Sequence, residues 1–408
     1  MLRPVALICA AAAVGGALAG CDPGGRTGPT VHPVPAGGVF VLDGHGWGHG
    51  VGMSQWGAQG AASRGVSAAT ILSTYYPGTS RATVADDAVR VWLQRDDGSD
   101  LIVEAGAGLT ATDLSTGRMV ALPAGPARWR AVRVGSAMRV EGLSEAGWTP
   151  LAGSAATPGP LRFATPAGLV GVRYPSGTVG RYRGTVQATL DSSGFKSVAN
   201  VRLEDYVSEV VPQEVSPSWA PAALQAQAVA ARTFAVWYRS SRPRGSSWDV
   251  CDNAACQAFG GVGVEQASTT AAVRATAGWI LSYRGALAVT MYSASSGGWT
   301  VAGGAPYLSA HADDWDGWAA NPQHSWSASL PAAVIERAFP AVGHLLRLRV
   351  TARDGGGQWG GRVRTVVLEG ADARGAPTTV TTTGAAIYNL RPWPAYPDGL
   401  RSSWWNIR

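Results

Sequence analysis

The stretch from residue 203 to residue 238 reads LEDYVSEVVPQEVSPSWAPAALQAQAVAARTFAVWY and carries the strongest structural signals in the chain. Pro221 suits the first turn of a helix, where its missing N–H has no intrahelical partner to lose. A stripe of mostly small apolar side chains then follows at helical spacing: Leu224, Ala228, Ala231, Ala235 and Tyr238. Such a stripe allows another element to approach closely. The residues therefore predict a buried helix that starts at Pro221.

Glu214 differs from the other acidic residues of this stretch. Two flanking prolines predict that it lies in a turn, among apolar neighbours. The other three acids are expected on a short helix from which charges face water: Glu204, Asp205 and Glu209. A carboxyl group in apolar surroundings has a raised pKa, as a general acid near neutral pH requires. The residues alone leave a second interpretation open, a Glu that stabilises the turn or caps a helix.

A second distinctive stretch, residues 44–53, reads GHGWGHGVGM. Glycine at every second position disfavours a helix, whereas in an extended chain it places all glycines on one face. That bare face admits another backbone or a ligand at close range. In a strand His45 and His49 lie about 13 Å apart, so they do not share one metal ion without a bend. Either both histidines are hydrogen-bonded in the interior, or at least one lines a site.

The remaining segments indicate a β-rich fold around central helices. Ser54 and Ser67 each precede a short helical pattern, and residues 88–200 alternate short apolar strands with glycine-containing turns. Strand patterns return at residues 279–293 and in residues 345–408. We therefore predict an α+β fold, a β-rich body with central helices and a cleft, built as one large domain or two interleaved lobes.

The composition excludes several classes of protein. With 408 residues, 46% hydrophobic and 15% charged, the chain is neither disordered, collagen-like nor coiled coil. Its net charge of +6 comes from 33 basic and 27 acidic residues, with no dense basic run, so nucleic acid is not an expected partner. The 17 tryptophans are more informative, because flat amphipathic rings serve as platforms for ligands such as sugars.

Residues 1–20 have the pattern of an export signal. An apolar stretch follows Arg3 and ends in Leu-Ala-Gly before Cys21, which is typical of a bacterial lipoprotein signal. Cleavage there makes Cys21 the lipidated first residue, with residues 21–39 as a flexible tether and the outer face of the cytoplasmic membrane as the location. A plain secretory signal with an incidental Cys21, or an uncleaved anchor, are the alternatives.

Cys251 and Cys256 are the remaining cysteine pair after Cys9 in the signal and Cys21 at the lipid site. In an exported chain such a pair is first interpreted as a local disulfide that closes a small loop. Zinc is the alternative, but it usually needs three or four ligands, and no His or further Cys lies close by in sequence. We therefore predict a disulfide and no metal.

Two of these stretches resemble the SpoIID/LytB family, the group of stage II sporulation protein D and the amidase enhancer. Residues 203–238 resemble its Leu-Glu-x-Tyr, Val-Val-Pro-x-Glu and Ala-Leu-x-Ala-Gln-Ala-Val-Ala-Ala-Arg-Thr patterns, and residues 46–59 resemble its Gly-His-Gly-Val-Gly-Met-Ser-Gln signature. Residues 251–257, 295–298 and 400–403 resemble lesser marks of the family. The resemblance extends over most of residues 40–408.

The resemblance implies an enzyme of the cell wall. Members with demonstrated activity are lytic transglycosylases that cut peptidoglycan glycan strands, preferentially those without stem peptides, and their catalytic Glu corresponds to Glu214. No cofactor is implied. Arg232 is a candidate partner for the lactyl carboxylate of muramic acid. The other substrate-binding candidates are His45, Trp47, His49, Gln55 and Trp219.

Two further functions stay open at this point. One is a non-catalytic peptidoglycan-binding scaffold or amidase enhancer, with a cell-wall amidase as its partner. The other is a structural envelope lipoprotein. Strand-length preference, oligomeric state and physiological role have no signal in the sequence.

The sequence departs from the family pattern in three places. The segment at residues 40–80 normally follows the Leu-Arg-Ser-Ser-like strand near the C-terminus, which predicts a circular permutation with the strand near Val39 packed beside the chain end near Trp405. Glu209 and Val215 stand where the family usually has Gly and Met. Ala255 replaces a His found in members thought to bind zinc. The predicted body is residues 40–408, with a β-rich part at 88–200 and the Glu-turn-helix core at 201–340.

Overall fold

A computed structural model describes residues 29–96, 98–390 and 399–408, and these residues form two compact units. Unit 1 comprises residues 79–290, and unit 2 combines residues 29–78 with residues 291–408. The predicted signal peptide, the lipidation site Cys21 and residues 22–28 of the predicted tether lie outside the described residues. No helix in the described ranges is long and apolar enough to cross a membrane.

The elements are numbered in chain order. The strands are β1 (Thr30–Pro33), β2 (Val39–His45), β3 (Met53–Ser54), β4 (Ser80–Thr83), β5 (Ala88–Trp92), β6 (Asp100–Glu104), β7 (Thr110–Asp113), β8 (Met119–Ala121), β9 (Arg128–Val134), β10 (Ala137–Ser144), β11 (Gly147–Pro150), β12 (Leu161–Ala164), β13 (Leu169–Arg173), β14 (Val179–Arg183), β15 (Thr185–Asp191), β16 (Gly194–Arg202), β17 (Val250–Cys251), β18 (Trp279–Tyr283), β19 (Ala286–Leu287), β20 (Tyr292–Ser293), β21 (Ser325–Pro331), β22 (His344–Arg353), β23 (Val363–Ala371), β24 (Pro377–Thr383) and β25 (Trp405–Ile407). The α-helices are α1 (Gln55–Ser63), α2 (Ala68–Tyr75), α3 (Leu203–Glu214), α4 (Pro221–Ser241), α5 (Ala267–Ala275), α6 (Ala332–Ala338) and α7 (Gly384–Tyr388). Short 3-10 turns lie at Val262–Val264, Pro340–Val342 and Gln358–Gly360.

Unit 1 contains two large sheets and a small one. Their strand orders are β11-β10-β9-β6-β13-β14, β17-β5-β16-β15-β12-β7-β8 and β19-β18-β4. Glycine with positive φ forms the turns of two hairpins, at Gly177 between β13 and β14 and at Gly194 between β15 and β16. These positions follow the Pro-Ser-Gly and Ser-Ser-Gly patterns of the sequence, where only glycine adopts the required conformation at low cost.

The central helices of unit 1 are buried, as the small apolar stripe predicts. Helix α4 begins at Pro221, and Leu224, Ala228, Ala231 and Ala235 are at most 1% exposed. These side chains join one apolar cluster with residues of α3 and of the sheets. Because most of the stripe ends in a methyl group, neighbouring elements pack close to the α4 backbone.

Unit 2 combines a four-stranded sheet, β1-β22-β23-β24, with a three-stranded sheet, β21-β2-β25. Phe40 of β2, Leu348 of β22 and Trp405 of β25 belong to one apolar cluster, and each of the three is fully buried. The pairing of β1 with β22 corrects the predicted tether, which was expected to extend to residue 39. Residues 30–33 form the edge strand of this four-stranded sheet.

The strand pairing expected from a permuted chain order is present in unit 2. Strands β2 and β25 pair in antiparallel fashion, with Leu42 opposite Ile407 and Gly44 opposite Trp405. The predicted contact between the strand near Val39 and the chain end near Trp405 is therefore confirmed. The permutation itself stays a prediction.

Both predicted N-caps are confirmed as well. The Ser54 hydroxyl accepts the Gly57 amide at the start of α1, and the Ser67 hydroxyl accepts the Thr70 amide at the start of α2. These hydrogen bonds satisfy helix N–H groups that have no intrahelical partner. The α+β, β-rich fold class predicted from the sequence is confirmed.

Candidate functional site

Glu214 is the last residue of α3, and its side chain is half-buried. The helix continues through Pro212, which corrects the prediction that Glu214 lies in a turn. Its Oε1 accepts a hydrogen bond from the backbone N–H of Ala258 at 3.0 Å. The carboxyl group is therefore oriented by a backbone donor from outside its own helix.

The loop that supplies this donor is anchored on three sides. Cys251 and Cys256 form a disulfide with an S–S distance of 2.11 Å, two residues before Ala258. Between them and Ala258, the fully buried Gln257 accepts the Tyr206 hydroxyl at 3.0 Å and donates to the carbonyl of Ala231 at 3.3 Å. The disulfide, α3 and α4 thus fix the amide that orients Glu214.

Glu214 also acts on a neighbouring ionisable group, Tyr206. Burial, and secondarily the charge of Glu214, raise the pKa of Tyr206 well above its usual range. Tyr206 consequently stays protonated and remains a hydrogen-bond donor to Gln257.

Glu209 contradicts the expectation that the helix acids face water. Its side chain is 0% exposed, and both carboxyl oxygens are buried without a hydrogen-bond partner among the described residues. Burial, and then the charge of Glu265, raise its pKa to about 9, although Arg183 lowers it. Glu209 is therefore neutral at physiological pH. The sequence contained one signal for this, because Glu209 is three residues after Tyr206 and so shares its face of the helix. In the structure residues 206–212 are all buried.

Arg232 is not available to a substrate, which corrects its predicted role. Its side chain is 0% exposed, and two of its nitrogens bond both carboxyl oxygens of Glu204 at 2.8 and 2.6 Å. A further nitrogen donates to the carbonyl of Trp279 at 3.2 Å. Arg232 therefore joins α4 to α3 and β18 inside unit 1.

The half-buried Trp219, between α3 and α4, packs against the unit 1 core.

The glycine-alternating stretch of unit 2 is not an extended strand beyond His45. Gly46, Gly48, Gly50 and Gly52 all have positive φ, at 71°, 95°, 74° and 73°. The backbone of residues 291–297 packs closely against the glycines of this stretch. A Cβ atom added at Gly52, for example, would lie only 2.0 Å from the carbonyl oxygen of Met291. Of the two partners the sequence allowed for the bare face, another backbone is the one observed.

This stretch packs beside a buried carboxylate that sequence reasoning missed. Asp316 is 0% exposed, and its oxygens accept hydrogen bonds from hydroxyl, amide and imidazole donors. The donors are Ser54 Oγ at 2.6 Å, Ser295 Oγ at 2.8 Å, the Ser296 and Gly297 amides at 3.0 Å, and His324 Nδ1 at 2.9 Å. Residues 295–298, one of the lesser family marks, thereby join the glycine-alternating stretch in one hydrogen-bonded cluster.

The two histidines of the stretch differ in environment. His45 is half-buried, with Nδ1 3.2 Å from the His324 carbonyl oxygen and Nε2 2.7 Å from Gln358 Oε1. His49 Nδ1 accepts the Val51 amide at 2.9 Å, and burial lowers the pKa of His49 to about 4, with the nearby charge of Arg362 as the next cause. His49 is therefore neutral, with its Nε2 buried and without a hydrogen-bond partner among the described residues, whereas both ring nitrogens of His45 lie within hydrogen-bond distance of a partner.

Trp47 and Gln55 complete the predicted site residues of unit 2. The Arg401 guanidinium lies over the Trp47 ring at 5.4 Å from its centre, and Gln55 is buried as the first residue of α1. The structure therefore places His45, Trp47, His49 and Gln55 in unit 2, but Glu214, Trp219 and Arg232 in unit 1. A groove shared by Glu214 with His45 or His49 stays a prediction.

Within the described ranges, no group of three or more His, Cys, Asp or Glu side chains is arranged to hold a metal ion. The sulfur atoms of Cys251 and Cys256 are bonded to each other.

Comparison with known proteins places Glu214 in a family segment. Residues 191–283 match the family model for the stage II sporulation protein SpoIID. An uncharacterised protein of Brachyspira hyodysenteriae is 38% identical over 103 residues, which are 25% of this chain and 28% of that protein. The amidase enhancer of Bacillus subtilis is 36% identical over 127 residues, which are 30% of this chain and 16% of that protein.

The chain therefore spans less than a third of the length of either relative. The matched segment contains α3, α4 and the disulfide loop, which together build the surroundings of Glu214. Residues 191–283 are therefore identified as a segment of the SpoIID/LytB family.

Proposed function

We propose that this protein acts on peptidoglycan as a lytic transglycosylase, with Glu214 as both general acid and general base. One observation carries the proposal: a half-buried carboxyl at the end of α3, oriented by the Ala258 amide and inside the segment that matches the family. A carboxyl group that transfers protons must be held in a defined orientation while it remains accessible to substrate. The half-buried position of Glu214 meets both requirements.

The chemistry needs only one carboxyl group. As an acid, Glu214 donates its proton to the glycosidic oxygen, and the bond from the muramic acid C1 to that oxygen breaks. As a base, it then takes the proton from the C6 hydroxyl of the same muramic acid, whose oxygen bonds to C1 and forms the 1,6-anhydro ring. The internal hydroxyl has a high effective concentration and replaces the water that a second carboxylate activates in a hydrolase.

The buried neighbours of Glu214 support a positioning role for this region of unit 1. Tyr206 and Gln257 are fully buried and bonded to each other, so the loop that carries Ala258 has little freedom to move. Arg232 takes no part in binding, because Glu204 already occupies its guanidinium. Recognition of the muramic acid carboxylate is therefore assigned to other residues.

A non-catalytic role is the second candidate, supported by the name amidase enhancer of the Bacillus subtilis relative. In that function the protein binds peptidoglycan and a cell-wall amidase without breaking a glycosidic bond. Both candidates place the protein outside the cytoplasm, which agrees with the export signal predicted for residues 1–20. Lipid attachment at Cys21 belongs to the same proposal.

Incubation of the purified protein with peptide-free glycan strands separates the two candidates. A lytic transglycosylase releases fragments that end in 1,6-anhydro-muramic acid, detectable by mass spectrometry, and Glu214→Gln abolishes that release. Glu145→Gln is the matched control, because Glu145 is an exposed residue of unit 1. Binding of strands without anhydro products, unchanged by Glu214→Gln, would favour the scaffold instead.

A further inference from the structure

We propose that unit 2 carries its own binding site for a carboxylate-bearing glycan, formed by the imidazole of His324 and the half-exposed rings of His45 and Trp359. The inference rests on the proposed function, because it specifies how a peptidoglycan strand without stem peptides is recognised. All three residues belong to unit 2, and sequence reasoning had singled out only His45. The site therefore lies on a different unit from Glu214.

One ring nitrogen of His324 is hydrogen-bonded within unit 2, and the other is available to a ligand. Its Nδ1 lies 2.9 Å from Oδ2 of Asp316, so this nitrogen carries a hydrogen that it donates to the carboxylate. Nε2 has no hydrogen-bond partner in the described part of the chain, and the side chain is 34% exposed. An imidazole that a buried carboxylate orients in this way presents its second nitrogen to a ligand.

Glycines leave space around this open edge of the ring. A Cβ at Gly298 would lie 3.2 Å from His324 Cε1, and a Cβ at Gly317 would lie 3.4 Å from the same atom. Side chains at these two positions would crowd the Cε1–Nε2 edge. The local sequence therefore keeps the edge of the imidazole accessible.

Aromatic rings stand next to His324. The His45 ring centre is 5.8 Å from that of His324 and 4.9 Å from those of Trp359 and Trp404. Trp404 is buried behind this group at 3% exposure, whereas Trp359 is half-exposed. The rings are tilted to one another by 40–67°, so the half-exposed Trp359 offers a single indole ring beside an oriented imidazole, a combination suited to a sugar ring with a polar substituent.

The backbone of Trp359 indicates that its ring serves more than packing. Its φ is +59°, which is costly for a bulky side chain, and it lies in a loop of residues 354–361 that is otherwise rich in glycine. Such a conformation is unfavourable and persists only where the surrounding structure enforces it, which is common at ligand-contact positions. The loop is tied down, because Trp404 Nε1 donates to the Gln358 carbonyl at 2.9 Å and Asp354 Oδ1 accepts the Arg362 amide at 2.9 Å.

Charge favours a carboxylate as the polar substituent. The hydrogen bond to Asp316 is the main cause that raises the pKa of His324 above 6.5, so a proton stays on Nε2 to higher pH than in a free imidazole. Asp316 also accepts hydrogen bonds from its other donors, two hydroxyls and two backbone amides. The other charged or titratable groups nearby are the buried Asp313, His45, and Arg401, which bonds Gln323. A protonated Nε2–H is consequently a charge-assisted donor for an incoming carboxylate.

Muramic acid without a stem peptide supplies such a group, because its lactyl carboxylate is free. In the proposed complex a sugar ring lies on Trp359 and the carboxylate accepts from His324 Nε2. The sign of the pH dependence follows from the protonation state. Affinity is highest while His324 is protonated and falls as the pH rises through its raised pKa.

Binding measurements on the purified protein carrying Glu214→Gln test the site without turnover. Calorimetric titrations compare peptide-free glycan strands with chitin oligosaccharides of equal length, which have no carboxylate, at pH 6 and pH 9. We expect the strands to bind about tenfold more tightly than the chitin oligosaccharides at pH 6, the effect of one charge-assisted hydrogen bond. His324→Gln abolishes that preference and its pH dependence, and Trp359→Gly weakens binding of both saccharides.

Two variants serve as matched controls. His344→Gln removes a histidine of unit 2 that is 76% exposed and bonded to Glu336. Arg284→Gly removes the other non-glycine residue with positive φ in the described ranges, and so relieves the same kind of backbone cost elsewhere. Neither is expected to change binding. Trp359→Gly also removes a strained conformation, so lost binding does not reflect poor folding.

The outcomes separate this inference from the proposed function. If the parent protein binds the strands and both His324→Gln and Trp359→Gly bind them equally well, the unit 2 site is overturned and the proposed function stands. If the parent protein binds neither saccharide, both proposals fail.

Discussion

Glu209 in unit 1 and Asp316 in unit 2 are both fully buried, but their hydrogen-bond surroundings are opposite. Glu209 in unit 1 has no hydrogen-bond partner among the described residues, and its pKa is raised to about 9. Asp316 in unit 2 accepts from two hydroxyls, two backbone amides and an imidazole. Equal burial therefore does not give equal surroundings. Donors around a buried carboxyl group replace the hydration that burial removes, and Glu209 has no such donor among the described residues.

Glu214 differs from both in its burial. It is half-buried, and its Oε1 accepts a hydrogen bond from the Ala258 amide. A proton-transfer group requires such a position, because it must be stable in both protonation states during one reaction. Substitutions at and around the three carboxyl groups test this ordering.

The greatest expected effect is that of Asp316→Ala. The change leaves two hydroxyls, two amides and His324 without their acceptor in a buried cluster. We expect the free energy of unfolding to fall by about 3–5 kcal/mol, as for removal of one partner from a buried charge network. Urea denaturation followed by tryptophan fluorescence measures it, with Asp314→Ala at the exposed neighbouring position as the control. A loss equal to that of the control would contradict the central role of Asp316.

Glu209 is expected to make the stability of the protein depend on pH. The ordinary pKa of its carboxyl group, 4.5, applies to the unfolded chain, and the value is about 9 in the folded protein, so only the folded protein keeps the proton between these values. Stability from this residue is greatest below pH 4.5 and is lost as the pH rises towards 9. The loss between pH 5 and pH 8 is up to about 4 kcal/mol.

Glu209→Gln removes this pH dependence, because the amide does not titrate. Thermal or urea unfolding of the variant and the parent at pH 5 and pH 8 measures the difference, with Glu145→Gln as the exposed control. Parallel pH profiles of variant and parent would show that Glu209 is ionised in the folded protein.

A smaller effect is expected at the disulfide that precedes Ala258. Replacement of Cys251 and Cys256 by Ser opens a short loop, which lowers the free energy of unfolding by about 2 kcal/mol. The Ala258 amide then loses part of its support. We therefore expect the rate of anhydro-fragment release to fall by more than the increased fraction of unfolded protein explains. A reducing agent applied to the parent protein should reproduce the effect. Full activity of the double Ser variant would show that the loop does not position Glu214.

The smallest expected effect on stability is that of His324→Gln. Asp316 keeps four other donors, and the partly exposed His324 pair is screened by solvent, so the cost is about 1 kcal/mol or less. Since the pKa of His324 is raised on folding, its contribution is fully present below pH 6.5 and is lost as the pH rises through the raised value. Unfolding measured at pH 6 and pH 9 tests this. A larger loss at pH 9 than at pH 6 would reverse the assigned charge.

Sequence reasoning was accurate where local chemistry decides structure. Pro221 starts α4, Ser54 and Ser67 cap α1 and α2, and glycine turns connect the hairpins of unit 1. It failed where distant segments set the environment. Arg232 was expected to bind substrate, but Glu204 on another helix pairs with it, and Glu209 was expected in water but is enclosed by unit 1.

The sequence by itself determined the resemblance to the SpoIID/LytB family, the α+β class and the identity of the candidate acid Glu214, because these depend on motifs and on periodicity along the chain. Only the tertiary structure decided which hydrogen-bond donors surround each buried carboxyl group and that the pKa of Glu209 is raised. Asp316 receives its donors from residues 54, 295–297 and 324, which are remote in the chain. Protonation depends on burial and on the donors within hydrogen-bond distance, and these are properties of packing.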